Sequence, residues 1–108
     1  MSQEELKAAV TQQALDMCNL RIQQNSTVAL PGMLASIKAQ LEWQVAFFEG
    51  RKASERNRLH QLVYGHYAVR ELDERDKEFI DALTKAFYVA SRTAAGLKVD
   101  EKVLNGVP

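Results

Sequence analysis

The stretch Leu59–Asp100, LHQLVYGHYAVRELDERDKEFIDALTKAFYVASRTAAGLKVD, reads as two helices joined by an acidic turn, closed by a glycine and followed by a short extended piece. Ser54 is placed to cap the first of the two, which is expected to run over 54–72 with Leu59, Leu62, Val63, Val69 and Leu72 on its buried face. Gly65 lies among them. Glycine inside a helix costs about 1 kcal/mol against alanine, so it marks a place where another backbone comes close. Asp76 supplies a carboxylate N-cap for the second helix (76–95), and Glu78 puts an anion in its first turn, where the helix dipole favours it. Phe79, Ile80, Leu83, Ala86, Phe87 and Ala90 recur at helical spacing. Gly96 fits the left-handed residue after a helix end, with Leu97 folding back on the last turn.

Working outward, the N-terminal half repeats the same grammar. Ser2 and the acids Glu4 and Glu5 open a helix over 2–24 with an apolar stripe of Leu6, Val10, Ala14, Met17 and Cys18, interrupted at Asn25-Ser26-Thr27. Pro31 suits a first helical position, because its missing N–H would be unpaired there anyway. The helix over 31–49 is apolar on two sides, through Leu34, Ile37, Leu41, Val45 and Phe48 and through Trp43 and Phe47, and Gly50 ends it. Such a helix is either central to the bundle or touches a partner, and the second reading leaves room for a homodimer built on Trp43 and Phe47. No segment alternates with period two, so no sheet is expected. The fold class is all-α: a single domain over 1–108, a bundle of four helices with five held open, and a short C-terminal tail whose end, Asn105–Pro108, is read as frayed.

Composition sets limits on function. The 108 residues are 46% hydrophobic and 26% charged, which is ordinary for a globular domain. Fourteen basic and fourteen acidic side chains balance to zero, whereas nucleic-acid binders draw most of their affinity from a basic excess, so no nucleic-acid role is expected. The one cysteine, Cys18, forbids an internal disulfide and a Cys-rich metal site, and it reads as a small core residue. The N-terminus carries acids where a signal peptide needs bases, and no run approaches a membrane span. A cytoplasmic protein with no membrane association is expected.

The chemistry-bearing residues are few. His60 and His66 lie six apart on one helix, about 120° out of alignment, so they do not share a metal; no metal and no cofactor are expected. The four cations Arg51, Lys52, Arg56 and Arg58 have no glycine-rich phosphate cradle beside them. Between Arg70 and Asp81 six acids (Glu71, Asp73, Glu74, Asp76, Glu78, Asp81) stand against three bases (Arg70, Arg75, Lys77), a balance of −3. These carboxylates read as a solvated, capping turn, as an acid–base pair in a cleft, or as an acidic knob that, with Tyr64, Tyr67 and Tyr88 nearby, docks on a basic pocket of a partner.

The same stretch resembles the C-terminal half of small bacterial immunity proteins of the type VI secretion system, the best known of which protects its producer from a toxin that hydrolyses NAD(P)+. The resemblance is carried by Leu59-His60, Gly65 with Ala68-Val69, the Glu71-x-Asp73-Glu74-x-Asp76 turn, Tyr88-Val89, Arg92-Thr93 and Gly96-Leu97-Lys98-Val99-Asp100. The tail beyond Asp100 and the basic 51–58 connection depart from it. It implies a non-catalytic helical protein that binds a cognate toxin domain, an NAD(P)-glycohydrolase or an ADP-ribosyltransferase-like one, and occludes its active site. The partner-binding residues expected on this basis are Tyr64, Tyr67, Glu71, Asp73, Glu74, Asp76, Tyr88 and Arg92. A helical adaptor or homodimer without a toxin partner is the other reading.

Overall fold

The computed structural model describes residues 2–104, with side chains described for all of these except 67–69. The reading of Asn105–Pro108 therefore falls outside the described residues. Among the described residues five α-helices follow one another: α1 Gln3–Gln23, α2 Pro31–Phe48, α3 Tyr64–Arg70, α4 Lys77–Ala94 and the single turn α5 Glu101–Leu104. A 3-10 segment, Ala53–Gln61, lies between α2 and α3. The fold is all-α, with four helices of seven residues or more and a one-turn fifth.

The caps explain most of the boundaries. Ser2 Oγ accepts from Glu5 N–H at 3.1 Å, and Pro31 opens α2. Asp76 caps α4 by accepting from Phe79 N–H. At the other end of α4, Gly96 adopts φ 73°, so Leu97 N–H can reach Arg92 C=O at 2.8 Å and Gly96 N–H can reach Thr93 C=O. Leu97 itself stays about half exposed, so the closure is a backbone device and not the hydrophobic lock expected.

The expected continuous helix over 54–72 is corrected. Its first part is the 3-10 segment, with a non-helical kink at Glu55, and an extended Leu62–Val63 step separates it from α3. Ser54 caps nothing. The break has a tertiary cause: Gln40 of α2 puts its Oε1 where Val63 N–H (2.8 Å) and Tyr64 N–H (3.2 Å) donate to it, so a neighbouring helix caps α3. Gly65 also has a different neighbour from the one expected. A Cβ there would run into the ring of Phe87 on α4, so a side chain and not a backbone needs the space.

α1 lies at the centre, packed against α2 and α4. Thr11 meets Gln44 and Cys18 meets Leu34, so α1 and α2 run antiparallel. Arg21 meets Asp76, so α1 and α4 do as well. Ile37, Leu41, Phe79, Leu83, Ala86 and Val89 are fully buried between these helices. One polar network crosses the core. Tyr64 O–H donates to Gln44 Oε1, while Gln44 Nε2 donates to Thr11 Oγ1 (2.9 Å) and to Ala86 C=O (3.0 Å). Thr11 Oγ1 in turn donates to Lys7 C=O at 2.8 Å. Four helices are tied by one fully satisfied amide, which specifies their mutual placement.

Candidate functional site

The acidic turn sits at the N-terminal end of α4, and its charges are divided between two tasks. Asp76 faces inward. Arg21 Nε and one of its terminal nitrogens donate to the two carboxylate oxygens at 2.7 and 2.9 Å, and both side chains are mostly buried. These bonds hold the Asp76 pKa below the ordinary carboxylate range against the opposing effect of burial, with Phe79 N–H assisting. The same pairing raises Arg21. Asp73 is bound to Arg75 through its side chain (2.7–3.2 Å) and by Arg75 N–H at 2.9 Å, and these hydrogen bonds hold its pKa at about 2. Neither carboxyl is set to deliver a proton near neutrality.

Glu71 and Glu74 face outward. Both are exposed, and neither forms an ion pair among the described residues. The turn is stapled to the α1–α2 loop by Asp73 N–H donating to Val28 C=O at 2.9 Å. The two loops therefore make one surface, a relation that no sequence spacing between 28 and 73 announces.

The eight expected contact residues do not form one patch. Tyr64 is corrected: it has no exposed surface, its hydroxyl belongs to the Gln44 network, and burial pushes its pKa up. Its aromatic ring fills the core against Phe87, with ring centroids 5.2 Å apart. The Tyr67 side chain lies outside those described. Tyr88 and Arg92 belong to the far end of α4, up to about 24 Å from Asp76 at about 1.5 Å per residue. There they fasten the tail: Arg92 Nε donates to Lys98 C=O (2.8 Å), and Tyr88 Oη accepts from Asp100 N–H (3.1 Å). Gln3 completes that clamp, its side-chain amide bonding both Val99 N–H and Val99 C=O. Glu71, Asp73, Glu74 and Asp76 are the members brought together.

The second side of α2, held open for a second copy of the chain, is covered by the chain itself. Trp43 is buried, with Nε1 donating to Glu55 Oε1 at 3.1 Å, Arg58 lying 5.1 Å over its ring, and Phe47 stacked on it at 5.3 Å. The basic connection thus closes over the apolar face, using Glu55 as the shared anion for Lys52 and Arg58. Cys18 is fully buried, its Sγ donates to Leu34 C=O, and burial raises its pKa to about 11. It packs and does not react. His60 and His66 are exposed and separate, and among the described residues no group of three or more His, Cys, Asp or Glu side chains converges to hold a metal.

With this geometry in place, comparison with known proteins decides the lineage. The model of the family described as Tsi6 matches residues 7–92. The chain belongs to the Tsi6 family. Immune protein Tsi6 of Pseudomonas aeruginosa is 43% identical over 68 residues, which cover 63% of this chain and 71% of that relative. A chain in the solved structure of Tse6 in complex with Tsi6 matches with a TM-score of 0.73 and 35% identity, over 93% of this chain and 98% of the other. The Tsi6 match extends over α1 and α2, beyond the C-terminal half that carries the sequence resemblance. It makes this chain a member of a type VI secretion immunity family, with the family match running from α1 into the last turn of α4. No helix among the described residues is long and apolar enough to cross a membrane.

Proposed function

We propose that this Tsi6-family chain is a cytoplasmic immunity protein. It binds the secreted toxin domain of its own system and occludes that domain's active site without catalysing a reaction itself. The observation that carries this reading is the likeness, over nearly the whole of both chains, to a chain from the solved Tse6–Tsi6 complex. The NAD(P)-glycohydrolase class of toxin is supported by the sequence resemblance. The contact surface is the acidic end of α4 with the loop stapled to it. Glu71 and Glu74 face a basic surface of the toxin, and the Arg21–Asp76 and Arg75–Asp73 pairs hold the turn in shape. Occlusion suits this geometry, since a dinucleotide site gathers cations for phosphate, and an anionic surface is complementary to it.

The test is co-expression with the toxin domain encoded beside the gene. Growth rescue and co-purification as a stable complex are expected. A toxin that still kills, with no complex recovered, overturns the reading.

A further inference from the structure

Leu30 occupies a position where folding gives it nothing. It is the N-cap of α2: its backbone is extended, at φ −64° and ψ 146°, and its C=O accepts from Met33 and Leu34 N–H. Its side chain makes no capping hydrogen bond. N-caps favour Ser, Thr, Asp and Asn because a side-chain oxygen can take a first-turn N–H, and leucine is among the poorest choices. Packing does not compensate. Leu30 is 74% exposed, against 49% for Leu97, the next most exposed of the large hydrophobic residues described. By contrast Ser2 and Asp76, the caps of α1 and α4, both use their side-chain oxygens.

Beside Leu30 an open hollow of about 570 Å³ separates the 25–31 loop from the 71–73 turn. Val28 and Leu72 lie buried at its floor, and Leu30 and Pro31 form an exposed apolar wall. Of the two acids on its lining, Asp73 is taken by Arg75, while Glu71 is exposed with no ion pair among the described residues. The bond from Asp73 N–H to Val28 C=O fixes the two walls relative to each other. One lining that carries both exposed apolar side chains and an unpaired carboxylate suits a side chain with a long aliphatic stem and a cationic head.

We propose that this hollow anchors the partner contact and receives an arginine or lysine side chain of the partner protein. The stem lies along Leu30 and Pro31, and the head is held at the Glu71 carboxylate. The inference deepens the immunity reading above and rests on it. Leu30 is then an interface residue whose place at a helix cap costs the free protein stability.

The experiment titrates the purified toxin domain encoded beside the gene with the wild-type chain, Leu30→Ser and Glu71→Arg, and melts each chain alone. Leu30→Ser should raise the melting midpoint of the free protein by a few degrees, as a gained cap does. It should also weaken binding by about tenfold or more, as loss of an interface anchor does. Glu71→Arg should leave the midpoint in place and weaken binding further, with a flatter salt dependence. A lower midpoint for Leu30→Ser overturns the inference by showing that Leu30 serves folding. Unchanged affinity in both variants overturns it while leaving the immunity reading intact. A wild-type chain that self-associates through Leu30, read by sedimentation, assigns the hollow to a second copy and also overturns it. Failure of the wild-type chain to bind removes both readings.

Discussion

Arg21 and Asp76 close the bundle by joining the last turn of α1 to the first residue before α4 through paired hydrogen bonds of 2.7 and 2.9 Å. Each lies where its charge is favoured twice. Arg21 is near the negative end of α1, Asp76 is at the positive end of α4, and they neutralise each other. Arg21 also lies over the Phe79 ring at 5.8 Å, so its guanidinium is held by both the carboxylate and the ring.

Removing this carboxylate should therefore cost more than removing a surface charge. Asp76→Ala loses a helix cap and strands a mostly buried guanidinium, for an expected loss of about 2–3 kcal/mol. Asp76→Asn keeps an acceptor for Phe79 N–H and should lose roughly half of that. Urea unfolding of both variants with Arg21→Ala, arranged as a double-mutant cycle, measures the coupling. A coupling energy near zero would show that the pair is incidental.

The pH dependence follows from the same groups. In the folded state Asp76 and Asp73 titrate below the ordinary aspartate value of about 3.9, with Asp73 at about 2. A depressed carboxylate contributes stability that is complete above its unfolded pKa and is lost as pH falls through its folded pKa. Stability should thus hold level with respect to these groups from pH 5 to 8 and fall between about pH 4 and 2. The double substitution Asp73→Asn, Asp76→Asn should flatten that acid limb, as measured by urea midpoints across the range.

The core network makes a different kind of prediction. Tyr64→Phe keeps the ring against Phe87 but leaves Gln44 Oε1 buried without a donor. An unsatisfied buried acceptor costs about 1–3 kcal/mol. Gln44→Leu leaves the buried Tyr64 hydroxyl without its acceptor and removes the donor to Thr11 Oγ1 and Ala86 C=O, and should cost more. Thermal melts distinguish the order of the two.

Gly65→Ala sets helix propensity against space. Alanine gains about 1 kcal/mol as a helix former. Its Cβ enters the Phe87 ring, and overpacking costs typically about 1–3 kcal/mol, so net destabilisation is expected. Phe87→Leu should relieve the clash, so the double variant should be more stable than additivity allows.

Glu74→Arg tests the proposed contact surface independently of Leu30. The residue is exposed, so folding stability should stay within about 0.5 kcal/mol of wild type. Association with the toxin domain should slow and lose salt dependence, which stopped-flow binding at two ionic strengths measures.

The acidic turn shows how far sequence reasoning reached into the site. The clustering of Glu71, Asp73, Glu74 and Asp76 is visible in the chain, as is the capping role of Asp76. Their division into inward and outward charges is not, because it depends on Arg21, fifty-five residues earlier on α1, and on a bond that ties the turn to Val28 in the α1–α2 loop. Tyr64 was legible as an aromatic beside Gly65, yet only Gln44, twenty residues earlier on another helix, fixes it in the core.

By itself the sequence determined the helical class, the starts of α1, α2 and α4 at Ser2, Pro31 and Asp76, and the stops at Gly50 and Gly96. These signals are local: a cap oxygen, a missing N–H, or a residue tolerant of positive φ acts within one turn of where it stands. The tertiary structure alone decided that 54–72 breaks into a 3-10 segment and α3. Only there do Trp43 and Gln40 of α2 supply the partners that draw Glu55, Val63 and Tyr64 out of a continuous helix. Intrinsic helix propensity differs by only a few tenths of a kcal/mol between ordinary residues, so hydrogen bonds from a packed neighbour outweigh it.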